Sequence, residues 1–367
     1  NFASLIFGRN IGNGLGNLTL ALDWAHTEPL NSGDRDYARI GNREVLVRDF
    51  TYGTPGGGPY QNFFRRDVRY IDTSPGGSVY TDFDFGDSLS GADWEGDGDP
   101  WVSGLDTGNF TMVGGSGSLL DQFVDELLPY QERFSINGMG HINLSPNMRL
   151  FAEAKYARTD TEFEAQATFD FFLFVPVDNP FIPANVLADA LAPGNLGDVF
   201  GGVFVDRDNF DLGNTFRQVT RDTFRATIGL DGALTDVINY ELSLTHGATY
   251  TEQNYRTRNN ERFFAALDAV DDGFGNIVCR STLGIPGYSP DNWSGPDFGY
   301  SFTPGPGDGC IPANIFGPNI SQAAADWINH NVYSSDRIDQ TVLAGFIAGD
   351  TPLTLRAGVD AVARGAA

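Results

Sequence analysis

Apolar and polar residues alternate with a period of two along much of the chain, which is the pattern of a β-strand with two unlike faces. In Leu18–Trp24, the residues Leu18, Leu20, Leu22 and Trp24 share one face, with Thr19 and Asp23 on the other. From Arg133, residues Phe134, Ile136, Gly138, Gly140, Ile142 and Leu144 oppose Ser135, Asn137, His141 and Asn143. After a turn at Ser145-Pro146-Asn147, residues Met148, Leu150, Ala152, Ala154 and Tyr156 oppose Arg149, Glu153 and Lys155. A second hairpin sets Phe224, Ala226, Ile228 and Leu230 against Thr223, Arg225, Thr227 and Asp231. It turns at Gly232 to Asp236 and continues with Ile238, Tyr240, Leu242 and Leu244 against Asn239, Glu241, Ser243 and Thr245. A third runs through Val342, Ala344, Phe346 and Ala348. It turns at Asp350-Thr351-Pro352 and resumes with Leu353, Leu355, Ala357 and Val359, with Arg356 and Asp360 opposite. Seven strands are predicted, six of them in hairpins. Weaker candidates are Arg43 to Phe50, Val68 to Ile71 and Val79 to Phe85.

These strands are long, roughly 10–14 residues against the usual 5–6, and a tilted bilayer-spanning strand needs about 9–11. Their connections alternate: tight turns of roughly three to five residues on one side, and very long segments (Thr27 to Tyr130, Asp160 to Asn214, Glu252 to Arg337) on the other. Structureless loops of that size do not belong to an ordinary compact domain. Short turns at one rim and long loops at the other are the arrangement of an outer-membrane barrel. The predicted fold is therefore all-β: part of an antiparallel transmembrane β-barrel with long extracellular loops. On this reading the apolar face meets lipid. Arg149, Glu153, Lys155, Arg225, Asp231, Glu241, Arg356 and Asp360 line a wet lumen, and Trp24, Tyr156, Tyr240 and Tyr250 belong to interfacial aromatic girdles. The alternative is a soluble β-sandwich whose apolar face packs on a second sheet.

Composition narrows the partners. The chain has 367 residues, 41% hydrophobic, and a formal net charge of −25. That apolar content is too high for a disordered acidic chain. The only lysine is Lys155, and acidic groups outnumber basic ones 48 to 23. Phosphate contacts need bases, so no nucleic-acid partner is expected. No run of 18 apolar residues exists, which excludes a transmembrane helix. The chain begins at Asn1 and ends at Ala367 directly after a patterned stretch, so both ends read as cuts through a longer protein. All 367 residues are expected to form part of one barrel domain.

From Tyr70 to Glu132 there is no basic residue, and Asp82, Asp84, Asp87, Asp93, Glu95, Asp97, Asp99 and Asp106 are interspersed with Tyr80, Phe83, Phe85, Trp94 and Trp101. This is either a hydrated surface loop or an oxygen-rich site for a cation around Asp93, Asp97 and Asp99. Asp97-Gly98-Asp99 lacks the spacing of an EF-hand, and no metal site is assigned. Two loop segments look helical: Glu261–Val270, with Phe263, Ala266, Leu267 and Val270 in one stripe, and Ala323–Ile328, capped by Ser321, with Ala324, Trp327 and Ile328 in another. They are expected to pack loops together. Cys279 and Cys310, 31 positions apart in a Gly/Pro-rich stretch, would pair in an oxidising compartment and contribute ~3–4 kcal/mol. Two unpaired thiols are the alternative. Without a CxxC or a nearby His pair to supply four ligands, no metal site is expected at these cysteines.

Catalytic motifs are missing. His26, His141, His246 and His330 are scattered, Gly114–Ser118 misses the GxSxG elbow, and Gly12–Gly16 lacks a phosphate-loop context. Glu153 and Glu241 are the kind of carboxylates an alternating wet face produces anyway. No enzyme activity and no cofactor are expected.

Three stretches carry a family resemblance. They are Gly14-Leu15-Gly16-Asn17-Leu18-Thr19-Leu20; Phe264–Val270 followed by Ile277-Val278-Cys279-Arg280-Ser281; and Gly309-Cys310-Ile311-Pro312-Ala313-Asn314-Ile315-Phe316-Gly317 followed by Ser321-Gln322-Ala323-Ala324. In this order among long strands, the chain resembles the barrel domain of TonB-dependent outer-membrane receptors, except around Tyr70 to Leu120. The resemblance implies uptake of a scarce large nutrient, such as a ferric siderophore, across the bacterial outer membrane. The partners would be outer-membrane lipid and the TonB complex, reached through a plug. No plug, TonB box or closing aromatic strand is present, so an interior barrel segment is expected. Ligand contacts are expected from Asp93, Trp94, Asp97, Asp99 and Trp101 in the acidic loop, and from Arg149, Glu153, Arg225 and Glu241 on the polar strand face. A passive porin-like channel and a secreted β-rich binding module are the competing readings.

Overall fold

The computed structural model describes residues 1–83, 91–123, 126–285, 307–349 and 363–366. The chain is mostly strand, in antiparallel sheets, and no helix among the described residues is long and apolar enough to cross a membrane. The main sheet is an up-and-down meander of β1 (Phe2–Ile11), β2 (Gly16–Thr27), β3 (Tyr130–Ser145), β4 (Met148–Ala165), β5 (Thr215–Thr235), β6 (Ile238–Arg258), β7 (Asn329–Gly349) and β8 (Ala363–Ala366). Every neighbouring pair is antiparallel and consecutive along the sheet. Among the described residues β1 and β8 are open edges. Six of the seven predicted strands lie within β2 to β7; the seventh, Leu353 to Val359, falls outside the described residues, as do Asp84 and Asp87. β1 escaped prediction because Leu5, Ile6 and Phe7 are contiguous and show no alternation.

The strands are longer than the pattern indicated: β4 has 18 residues and β5, β6 and β7 have 21 each. The turns are correspondingly tighter, with only Pro146-Asn147 between β3 and β4 and Asp236-Val237 between β5 and β6. All the short turns share one end of the sheet, and the long connectors 28–129, 166–214 and 259–328 share the other.

Register shows how the two faces divide. Ile142, Leu150, Leu230 and Leu242 are direct partners across four strands, as are Ile136, Tyr156 and Phe224. Directly paired residues project to the same side, so these rows build one largely apolar face, broken on β6 and β7 by His246, Thr341 and Asp339. Toward the long connectors it ends in a row containing Trp24, Phe134, Arg158, Asp222, Tyr250 and Arg337. The next row on that face, His26, Glu132, Asp160, Thr220, Glu252 and Ser335, is polar. From Met148 to Tyr156 the apolar band measures about 26 Å along the strand at ~3.3 Å per residue. Its aromatic border reaches outward: Trp24 Nε1 donates to Glu132 Oε1 at 2.8 Å and the Tyr250 hydroxyl to Glu252 Oε1 at 2.9 Å. The extra strand length lies beyond this border and supports the connectors.

One face assignment is corrected. The alternation put Val342, Ala344, Phe346 and Ala348 on the apolar face, but they pair with Thr245, Ser243, Glu241 and Asn239 on the polar side. Leu343, Gly345 and Ile347 continue the apolar rows instead. From Val342 to Ala348 this strand is apolar or glycine on both faces, so a period of two has no phase there and only pairing decides.

The long connectors are not structureless. They fold together into a layer whose core contains Val79, Val175, Val186, Val205, Phe263, Ile315 and Ile328, drawn from all three. At its centre, Phe169–Pro176, Gly202–Asp208, Ser78–Tyr80 and Trp94–Glu95 form a four-stranded sheet. Helices α1 (Ala184–Ala190), α2 (Leu196–Phe200), α3 (Asn260–Leu267) and α4 (Gln322–Ile328) flank it. The predicted stripes are buried: Phe263, Ala266 and Leu267 on α3, Ala324 and Ile328 on α4. Val270 belongs to a short strand, Ala269–Asp271, that follows α3. The Ser321 hydroxyl caps α4 by accepting from the Ala324 N–H at 3.2 Å. Cys279 and Cys310 are disulfide-bonded, with Cα atoms 6.1 Å apart. The weaker strand candidates shorten to Val45–Arg48, Val68–Tyr70 and Ser78–Tyr80. The layer closes around glycines: a Cβ on Gly96 would lie 1.7 Å from the Gly76 carbonyl oxygen and 2.7 Å from the Gly317 nitrogen.

Candidate ligand-binding surfaces

The residues singled out in the sequence fall into two separate sets. Asp93 and Trp94 are built into the connector layer. Asp93 Oδ2 accepts from the Thr81 N–H at 2.7 Å and the Thr81 hydroxyl at 2.9 Å. Burial pushes its carboxyl above the ordinary carboxylate value, against the pull of those hydrogen bonds. Trp94 Nε1 donates to Asp189 Oδ2 at 2.8 Å, and that oxygen, 2.7 Å from the Thr81 hydroxyl, shares the hydroxyl's single proton with Asp93. Trp101 packs on the cluster of Tyr80, Phe174, Leu196 and Phe204. Asp97 and Asp99 are exposed on a turn in which the Asp99 N–H donates to Asp97 Oδ1 at 3.2 Å. Among the described residues, no three His, Cys, Asp or Glu side chains converge where a metal ion could sit.

The second set lies on the polar face of the main sheet. Asn143, Arg149, Asp231 and Glu241 are direct cross-strand partners in one row beside the short turns. Arg149 grips Asp231 with two prongs, Nε to Oδ1 at 2.9 Å and Nη2 to Oδ2 at 2.5 Å. Glu153 lies in a row with Met139, Thr227 and Thr245, and Arg225 in the next with Asn137, Lys155 and Gly247. Glu153 and Glu241 are thus two strands apart and about four residues, ~13 Å, apart along the strand direction. The face presents mixed charge to solvent but does not bring those two carboxylates together.

Sequence reading missed the ionic interior of the connector layer. Arg207 is fully buried and uses four of its five N–H groups: it donates to Asn209 Oδ1 at 2.8 Å, Asp211 Oδ2 at 2.6 Å, the Ile315 carbonyl at 3.1 Å and the Gly317 carbonyl at 3.3 Å. It therefore ties the second connector to the third. Arg280 does the same between Asp268 and Asp178, at 3.0 and 2.6 Å. On the opposite face of the Gly202–Asp208 strand, Asp206 accepts from the Tyr80 hydroxyl at 2.9 Å and the Phe172 N–H at 2.5 Å. Burial, with Asp72 and Asp208 nearby, pushes Asp206 up to about 7 despite those bonds. The one available signal was the run Gly202-Val203-Phe204-Val205 after Gly201, a short apolar stretch bounded by glycine, which suits a buried strand.

No protein-family model matches the chain, and no curated protein matches it. Among solved structures it is similar to the outer membrane transporter YddB from Escherichia coli, at 9% identity and a TM-score of 0.25, over 95% of this chain and 32% of that one. The chain thus spans about a third of that transporter's length, and so distant a likeness leaves the fold to be argued from its own strands.

Proposed function

We propose that this chain is a segment of a TonB-dependent outer-membrane receptor barrel that takes up a scarce large nutrient, such as a ferric siderophore. The observation that carries the reading is the main sheet. It is a consecutive antiparallel meander with one exposed apolar face bordered by aromatics, tight turns at one end and folded connectors at the other. Exposed apolar rows such as Leu18, Ile228, Leu244 and Leu343 suit lipid, and soluble monomers do not leave so large a patch open. The open edges call for further strands, because hydrocarbon does not tolerate unpaired backbone groups. Ligand would meet the connector layer first, at the exposed Asp97 and Asp99, and then the charged lumen face with Arg149, Glu153, Arg225 and Glu241. The role is transport, without catalysis or a cofactor.

The test begins with localisation. Expressed with its flanking sequence in a bacterium, the protein should be recovered in the outer membrane and extracted only with detergent; a monodisperse monomer in detergent-free buffer would overturn the reading. Deleting tonB should then reduce ligand uptake to background, whereas unchanged uptake would assign a passive channel instead.

A further inference from the structure

Between the first and second connectors lies a cleft of about 460 Å³ walled by Tyr70, Phe110, Phe123, Phe169 and Phe171, with Asp72 and Asp208 among its polar lining. The walls hold one another. Tyr70 and Phe123 meet edge to face at 5.3 Å, Phe123 continues to Phe210 at 5.1 Å, and Phe169 and Phe171 meet at 5.6 Å. The hairpin tip carrying Phe110 is fastened by its carbonyl, which accepts from the Ile71 N–H at 3.1 Å. Asn109 and Phe110 both have positive φ, 54° and 57°. That conformation costs an aromatic residue energy, and Phe110 is 71% exposed.

The charge of the cleft is one-sided. Asp208 is buried and accepts from the Ser118 hydroxyl; Asp72 is half-buried at the cleft wall. No basic side chain lines the cleft among the described residues. The arginines on adjoining elements are engaged elsewhere: Arg69 with Asp67 at 2.8 Å, Arg258 with Asp170 at 2.9 Å, and Arg207 on the far side of its strand. Anions are therefore repelled. A hard metal ion would need about six oxygen ligands, and these walls are rings. Aromatic faces combined with carboxylates attract a weakly hydrated cation with apolar substituents.

We propose that this cleft binds a small organic cation, an alkylammonium group whose charge rests against Asp72 and Asp208 and whose substituents lie on Tyr70, Phe110, Phe123 and Phe171. The site belongs to the connector layer alone and stands whether or not the chain transports anything.

The test is calorimetric titration of the full chain, in a polyoxyethylene detergent free of choline groups, with choline and with its neutral isostere 3,3-dimethylbutan-1-ol. Choline should bind at least about tenfold more tightly than the isostere, because the two differ only in charge. Asp72→Asn should weaken choline about tenfold and Phe171→Ala about fivefold, while Asp36→Asn, at an exposed position of the first connector, should leave it unchanged. Both cleft positions are partly exposed, and circular dichroism of each variant checks that it folds. Equal affinity for the two probes, no choline binding up to about 10 mM, or wild-type affinity in both cleft variants would each overturn the assignment. So would preferential binding of a neutral methyl glycoside.

Discussion

Arg207 shows what a single residue does in the connector layer. Its guanidinium is fully buried and spends its donors on two side chains and two carbonyls from another connector. Removing one member of such a group leaves the others buried without partners, so Arg207→Ala should destabilise the layer by about 3–5 kcal/mol, read as a lower denaturant midpoint by tryptophan fluorescence. Asp206 gives the layer a pH dependence. Its carboxyl titrates at about 7 when folded, against 3.8 for the free group, chiefly because it is buried. The folded state therefore holds the proton more tightly, and this contribution to stability is complete below pH ~4 and is lost as pH rises through ~7. Asp72 and Asp208, also raised by burial, add in the same direction. Thermal unfolding should show the layer melting at lower temperature at pH 8 than at pH 5, and Asp206→Asn should flatten the difference. An unchanged pH profile in that variant would place the titration elsewhere. None of this was visible in the sequence, because nothing local in Asp206-Arg207-Asp208 shows that the fold covers both faces of their strand.

At the scale of elements, register makes predictions that alternation alone does not. Leu244 and Ser243 are adjacent on β6 but face opposite ways. If the apolar rows meet lipid, Leu244→Arg should cost about 2–4 kcal/mol and Ser243→Arg nearly nothing, measured by reversible unfolding into detergent or bilayers. On β7, Phe346→Lys should be tolerated opposite Glu241 while Ile347→Lys is not; the reverse result would restore the face that alternation suggested. Strands β2 to β6 were legible because their polar residues recur every second position. β7 was legible as a strand but not as a phase, and β1 not at all. The two loop helices were legible from their stripes, whereas α1 and α2, of seven and five residues, are too short for a stripe to stand out. The Cys279–Cys310 bond closes the segment between them, and its loss in Cys279→Ala/Cys310→Ala should cost ~3–4 kcal/mol in the chain-entropy model. A lower melting temperature of the connector layer in that variant, followed by differential scanning calorimetry, checks it.

For the whole molecule, the core and the main sheet are different objects. The buried apolar cluster sits in the connectors, while the large sheet keeps its apolar residues on an exposed face. This inverts a soluble β-sandwich, in which the sheet would cover its own apolar face. The two sets of candidate ligand residues accordingly occupy two places, the connector layer and the polar sheet face.

The sequence by itself determined the antiparallel strands, the alternation of short and long connections and the two-faced chemistry of β2 to β6. Each of these depends on local periodicity, which neighbouring residues carry without reference to the rest of the chain. The tertiary structure alone decided the phase of β7, the shared core of three connectors far apart in sequence, and the burial of Arg207 and Asp206. It also brought Asp72, Phe110, Phe171 and Asp208 around one cleft. Those depend on which segments meet, and burial, pairing and charge environment arise only at such meetings.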